Sequence, residues 1–364
     1  PSGDGPRNRY EFTCDDLSRL TNTTQYVNGE LNKQNVERFL TYDRNGNLLT
    51  LIRYADGVQS SNRQYTYIGN RLDRMEKDKV IAWDEIEVHP GGPAIVVPEK
   101  VTEDNGTAAL DAGISIDTSA IIRPVDPGII LHSRYAHDRN GNLTYDMELQ
   151  TIFAYNSLNL LEKAVRNDTI VAKYSYLADG RKLTATESAG NGLCYLGSLV
   201  YRTQNGTFDL ESASFGGGRL VVSSEGLETR YFLTDHLGSV RQVVAADGSV
   251  IEQNDYYPFG KRWVAVAAPI SDNRHRFSGK EEQAFLSLPY VDFGARMYNP
   301  DWGRWFTQDP LLEKYYPIGQ YCYCAGNPIS RIDLDGKDWV RGIDGNTTFF
   351  FFRSVIDRIE RTQF

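Results

Sequence analysis

Short stretches of alternating aromatic and polar residues recur along this chain, and each runs into a turn carrying glycine or asparagine. Tyr65-Thr66-Tyr67 leads into Ile68-Gly69-Asn70-Arg71-Leu72, and Phe153-Ala154-Tyr155 into Asn156-Ser157-Leu158-Asn159-Leu160. Tyr174-Ser175-Tyr176 leads into Leu177-Ala178-Asp179-Gly180-Arg181-Lys182-Leu183. The hexapeptide Asp43-Arg44-Asn45-Gly46-Asn47-Leu48 returns letter for letter at Asp138 to Leu143. A period of two belongs to strands, and Asn-Gly or Asp-Gly supplies the positive φ that two-residue hairpin turns need. Each repeat is therefore predicted to be a β-hairpin with a Leu-led second strand. Copies fall about 17 to 24 residues apart where nothing intervenes. One such hairpin cannot bury a face alone and must stack on its neighbours.

The pattern continues from Asn191 to Lys261 through Leu199-Val200-Tyr201, Thr229 to Leu233 and Val240 to Val244. Gly216-Gly217-Gly218 lacks the following Lys-Ser/Thr of a phosphate loop and reads as a turn or bulge. Alternation lapses over residues 77–132, where Pro90-Gly91-Gly92-Pro93 and Arg123-Pro124-Val125-Asp126-Pro127-Gly128 predict an insertion that is largely loop. The expected division is hairpin repeats over 1–76, the insertion over 77–132, further hairpins over 133–230, a denser segment over 231–336 and a tail over 337–364. The fold class is all-β: an antiparallel sheet of stacked hairpins.

Composition agrees with this, since 22 Tyr and 32 Gly against 3 Met favour strands and tight turns over helices. A net charge of −9 argues against nucleic acid as a partner. No stretch approaches the apolar length of a membrane helix, so no membrane span is expected. The start, Pro1-Ser2-Gly3-Asp4-Gly5, reads as the cut end of a longer protein without an export signal. The four cysteines, Cys14, Cys194, Cys322 and Cys324, are too scattered for a disulfide framework. Cys322 and Cys324 alternate with tyrosines and would share one strand face, as buried free thiols. No metal site and no cofactor is expected.

Residues 290–336 crowd aromatics, glycines and X-Pro corners together. Tyr290-Val291-Asp292-Phe293-Gly294-Ala295-Arg296-Met297-Tyr298-Asn299-Pro300 is followed by Gly303-Arg304-Trp305-Phe306-Thr307-Gln308-Asp309-Pro310. Then come Tyr321-Cys322-Tyr323-Cys324-Ala325-Gly326-Asn327-Pro328 and Ile332-Asp333-Leu334-Asp335-Gly336. Upstream stand Thr234-Asp235-His236-Leu237-Gly238-Ser239, Tyr256-Tyr257-Pro258-Phe259-Gly260 and Phe277-Ser278-Gly279-Lys280-Glu281. In this order the motifs closely resemble the Rhs repeat-associated core, over about Tyr231 to Gly336. The hairpins before them resemble tyrosine–aspartate (YD) repeats, which in that family spiral into a curved shell. Asp235 and His236 with a nearby Ser invite a hydrolase reading. As strand neighbours they would point to opposite faces, so strand-end packing and turn hydrogen bonding is the stronger one.

The resemblance implies an aspartyl protease within bacterial polymorphic-toxin shells, where the leading aspartates of two Asp-Pro-x-Gly elements free an enclosed C-terminal effector. Position by position, Asp309 matches the first element and Asp333 the second, with Arg296 as a neighbour able to orient one carboxylate. Dyad chemistry needs two carboxyls sharing a proton, one as base to water and one as acid to the amide. The chain departs from the pattern at Leu312, which stands where Gly is usual, at Leu334 in place of Pro, and at Lys337 in place of an apolar residue before the cut. The competing reading is that both aspartates cap turns.

Past Gly336 the tail is too short for an enzyme domain, and its Phe349–Phe352 run is expected to dock on the shell. The resemblance thus implies a shell segment whose partners are its own C-terminal effector and the N-terminal remainder of the wall, in a secreted or cell-surface bacterial protein. The function expected is containment and presentation of that effector, with self-cleavage near Lys337. The alternatives are a non-enzymatic surface or adhesion module and a carbohydrate-active β-enzyme, which would need carboxylates at hydrolytic spacing in an aromatic cleft.

Overall fold

A computed structural model describes residues 8–32, 34–77, 135–263 and 271–341. The insertion beyond Lys77, and within the tail the Phe349–Phe352 run, lie outside these. Among the described residues there is no α-helix, only strands and short 3-10 turns. A three-stranded sheet (Asn8–Cys14, Leu20–Val27, Glu30–Asn32) comes first, then a four-stranded one (Val36–Tyr42, Leu48–Ala55, Val58–Ile68, Arg71–Lys77). A thirteen-stranded sheet follows, from Ala136–His137 to Val250–Gln253, each strand antiparallel to the next in sequence. Side-chain and backbone bonds join the three. Phe39 N–H donates to Asn22 Oδ1 at 3.0 Å, and Tyr135 N–H to the Asp73 carbonyl at 2.9 Å.

Two turn types recur among the hairpins. Asn28-Gly29, Asp56-Gly57 and Asn205-Gly206 form the two-residue turns anticipated, both residues at positive φ. The duplicated Asp-Arg-Asn-Gly-Asn stretch does not. Tyr42 pairs with Leu48, and the five residues between form a wider turn with a bulge at its neck. The Asp43 N–H donates to the Asn47 carbonyl and the Gly46 N–H to the Asp43 carbonyl. The difference lies three residues before the glycine, where Asp43 Oδ1 accepts the N–H groups of both Asn45 and Asn47 at 2.8 Å. Asp15, Asn156 and Asp235 bind the backbones of their own turns in the same way. Such a cap is the Asx-turn chemistry that competes with a tight hairpin.

Tyrosine locks successive turns together. Tyr155, just before one turn, donates its hydroxyl to the carbonyl of Leu143, just after the previous turn, at 2.7 Å. Tyr42 to Leu20, Tyr67 to Leu48, Tyr176 to Leu161 and Tyr256 to Val240 repeat the bond. The Tyr–Asp signature is thus one device: the carboxylate shapes the turn and the phenol staples it to its neighbour.

The segment after Gln253 folds into short strand pairs and tight turns packed against this meander. Its aromatics Tyr290, Phe293, Tyr298, Trp302, Trp305, Phe306 and Tyr323 form the centre of the core. Phe153 of the large sheet meets Tyr290 and Phe306 with ring centroids 5.9 and 5.4 Å apart. Each such ring contributes roughly 2 to 3 kcal/mol by burial. Ion pairs fasten the junction: buried Arg53 joins Glu37 and Asp301, and Lys182 joins Glu281 and Asp292. Farther along the large sheet Phe208, Leu227, Tyr231 and Leu233 remain exposed.

Asp235 and His236 sit in the turn that follows strand Gly226–Thr234, and Asp235 caps that turn, as the stronger reading of the sequence expected. One local expectation is corrected. Tyr323–Gly326 is a tight 3-10 turn with Cys324 and Ala325 at positive φ, so the cysteines do not alternate along a strand. All four thiols are free; Cys194 and Cys324 are buried, Cys322 partly so, and Cys14 is exposed.

Candidate functional site

Three elements of the packed segment converge on Arg296. Strand Val291–Asp292 turns through Gly294 (φ +100) and Ala295 into strand Met297–Asn299, which holds the arginine at its neck. Asp309 follows strand Arg304–Trp305, its N–H bound to the Gln320 carbonyl. Asp333 ends strand Arg331–Asp333, which pairs antiparallel with Trp339–Arg341. Residues 334–338 are the loop of that hairpin, and Lys337 lies in it.

Arg296 Nη2 lies 3.0 Å from Asp309 Oδ2 and 3.2 Å from Asp333 Oδ2. One nitrogen therefore bridges the two carboxylates. Its Nε donates to the Gly336 carbonyl at 2.5 Å and its Nη1 to the Gln320 carbonyl at 3.4 Å. The guanidinium lies 4.1 Å from the centre of the Trp305 ring, a cation–π contact strengthened by desolvation. All three residues are withdrawn from water: Arg296 is 3% exposed, Asp309 8% and Asp333 1%. The structure therefore brings together the three residues singled out from the sequence.

Their remaining valences are spent on backbone. Asp333 Oδ1 accepts the N–H of Gly336 at 2.6 Å and of Asp335 at 3.2 Å, while Asp309 Oδ1 accepts Leu311 N–H at 2.8 Å. Burial pushes the Asp333 carboxyl up to about 6, against the opposing pull of Arg296 and those N–H groups. Asp309 is raised for the same reason, and Arg296 opposes it likewise. In mildly acid solution the site therefore takes up a proton that exposed carboxylates would refuse. A cavity of about 10 Å³, room for about one water, touches Arg296, Asp292 and Thr307 but neither Asp309 nor Asp333.

Other groups close on the same turn. Lys280 Nζ donates to the Leu334 carbonyl at 2.6 Å, and Lys337 N–H to Asp335 Oδ1 at 3.2 Å. Lys280 and Trp305 stood in recognisable motifs, yet nothing in their spacing said where they would point. Elsewhere, the Asp-His-Ser trio is dispersed over backbone. Asp235 caps its turn, His236 Nε2 lies 3.0 Å from the Ile329 carbonyl oxygen, and Ser239 Oγ accepts the Ser278 N–H. No cluster of His, Cys, Asp and Glu among the described residues is arranged to hold a metal.

Comparison with known proteins places this architecture. The sequence pattern of the Teneurin YD-shell family matches residues 129–321, more than half of the chain. The chain belongs to that family. It is 38% identical over 112 residues to the toxin subunit YenC1 of Yersinia entomophaga, a match taking in 30% of this chain and 11% of the relative. Salivary gland surface protein 1 of Aedes aegypti is 35% identical over 106 residues, 29% of this chain and 3% of the relative. The chain thus matches only a small part of these longer proteins. The crystal structure of TcdB2-TccC3-Cdc42 superposes with a TM-score of 0.61 at 19% identity, covering 90% of this chain and 15% of that one. A TcdB2-TccC3 structure without its hypervariable C-terminal region gives 0.59 at 20%, again covering 90% of this chain and 15% of that one. The chain thus shares the fold of these structures and carries the YD shell of its family.

Proposed function

We propose that this shell segment contains and presents a C-terminal effector and cuts itself beside Lys337 with Asp309 and Asp333. The observation that carries the reading is the convergence on Arg296: two buried carboxylates share one of its nitrogens, and another holds the Gly336 carbonyl. In the reaction, water adds to the carbonyl carbon of the bond being cut while one carboxylate takes its proton. The other carboxyl delivers a proton to the departing amide nitrogen, leaving a new carboxylate and a new amine. Raised carboxyl affinities favour the required half-protonated pair. Arg296 orients both acids and polarises the adjacent carbonyl.

Containment draws support from the likeness to a toxin subunit and from the exposed apolar strands around Phe208, Leu227 and Leu233, a surface suited to an unfolded passenger. The N-terminal remainder of the wall and the effector are the partners of this reading, which places the protein outside the cell. A second reading has its own observation: Asp333 Oδ1 and Asp309 Oδ1 both bind backbone N–H groups as ordinary turn caps do. The experiment is to refold urea-dissolved chain from inclusion bodies, in which it has not yet folded, and follow fragment formation by mass over time, beside Asp309→Asn and Asp333→Asn. Self-cleavage predicts fragments from the wild type alone; an identical, uncut mass in all three leaves the aspartates as turn caps.

A further inference from the structure

The loop after Asp333 is gripped at three successive carbonyls by groups from outside it. Leu334 O receives Lys280 Nζ at 2.6 Å, Asp335 O receives the Ala295 N–H at 3.0 Å, and Gly336 O receives Arg296 Nε at 2.5 Å. The N–H groups of Asp335 and Gly336 turn the other way, onto Asp333 Oδ1. A turn that only closed a hairpin would need no such partners, since its polar groups could face water. The loop is thus a turned segment held from outside at its carbonyls, as a protease holds the backbone of a substrate, with the segment supplied by the same chain.

Resting on the self-cleavage reading, we propose that Lys280 is a positioning residue of the site, holding the Leu334 carbonyl so that the bonds flanking Lys337 are presented to Asp309 and Asp333. A tight turn sets its backbone. The turn Phe277–Gly279 carries Ser278 at φ +50 and Gly279 at φ +67, closed by the Lys280 N–H on the Phe277 carbonyl. The ammonium sits 5.8 Å from the centre of the Phe293 ring. Phe293 neighbours Gly294 and Ala295, so one corner of the small sheet carries the Ala295 donor and packs the ammonium that holds Leu334. Space there is tight. A Cβ on Gly336 would come 3.0 Å from the Arg296 backbone nitrogen and 3.3 Å from Phe293 Cβ, so the loop has little room on that side to make up for a lost donor.

Loss of one charge-assisted hydrogen bond at a reacting segment slows a reaction roughly tenfold or more. The test pairs two measurements on the full chain with Lys280→Met and Lys280→Arg. In refolding-initiated cleavage, Lys280→Met is expected to cut at least about tenfold more slowly than wild type, and Lys280→Arg, which keeps a donor, to recover most of the rate. In an uncut Asp309→Asn background, adding Lys280→Met is expected to speed amide exchange across residues 334–337 while exchange in the large sheet is unchanged. A wild type that cuts and a Lys280→Met that cuts equally fast would overturn the positioning role alone. Unchanged exchange in the loop would overturn the clamp itself. A wild type that never cuts would sink the self-cleavage reading, and with it any purpose of the clamp in catalysis.

Discussion

At Asp333 two demands meet in one carboxylate: one oxygen shapes the loop through Gly336 and Asp335, and the other faces Arg296. Burial raises its proton affinity to about 6, whereas an unfolded aspartate titrates near 4. The folded state therefore binds the proton more tightly than the unfolded one. This group's contribution to stability is fully present below about pH 4 and is lost as pH rises through about 6. Chemical denaturation across that window should show the wild type gaining up to roughly 3 kcal/mol relative to Asp333→Asn as pH falls. A difference between the two proteins that does not change with pH would contradict the assignment. At this scale the sequence was informative about identity but not about geometry. Asp309, Asp333 and Arg296 could be chosen from motif position, but the nitrogen that bridges the two aspartates depends on three turns meeting. Lys280 was legible only as part of a motif, because its partner is a backbone carbonyl 54 residues away.

Among elements, the repeating hairpin depends on the Asp cap and the Tyr staple. Tyr155→Phe removes the hydroxyl bond to Leu143 at little change in volume and should cost about 1 kcal/mol, read as a lowered denaturation midpoint. Glycines in the same kind of turn should separate according to what they face. A Cβ on Gly141 (φ +79) would come 2.5 Å from Gln308 Nε2 and from Tyr321 Oη, whereas one on Gly248 (φ +87) would meet nothing within 4 Å. Gly248→Ala should cost about 1 kcal/mol, the backbone penalty alone, and Gly141→Ala clearly more. Equal losses would mean that the turn at Gly141 does not pack on the core segment as described. Hairpins were legible because period-two alternation and Gly-containing turns are local signals. The turn width was not, since Asn45-Gly46 resembles Asn28-Gly29 in isolation and only the Asp43 side chain, closing on Asn45 and Asn47, selects the wider form. The tyrosine–cysteine alternation at 321–324 misled for a related reason. Cys324 and Ala325 take positive φ in a fully buried turn, a backbone reversal that the alternating letters do not encode.

For the whole molecule, the packed segment after Gln253 and the meander share one hydrophobic core, so they are predicted to unfold as one cooperative body. Arg53 is the clearest test of that union. It is buried, pairs with fully buried Glu37, and reaches Asp301 and the Pro300 carbonyl in the packed segment. Arg53→Met strands a buried carboxylate and should destabilise the protein by about 3 to 5 kcal/mol, with sheet and aromatic signals still melting together. Separate transitions would show two independent units. The sequence predicted an all-β repeat sheet and a dense terminal segment, but not how one plugs the other, which rests on contacts such as Phe153 with Phe306 across 153 positions. The cut itself would be masked in a native preparation. Asp333 pairs with Trp339, Trp339 stacks on Tyr315, and Arg331 lies over the Trp339 ring, so a severed strand stays in place. The most direct measurement is therefore the intact mass of the wild-type chain under denaturing conditions. Two masses that sum to the chain plus one water, with the break beside Lys337, are predicted; a single full-length mass would contradict self-cleavage and reduce Asp309 and Asp333 to the caps of their turns.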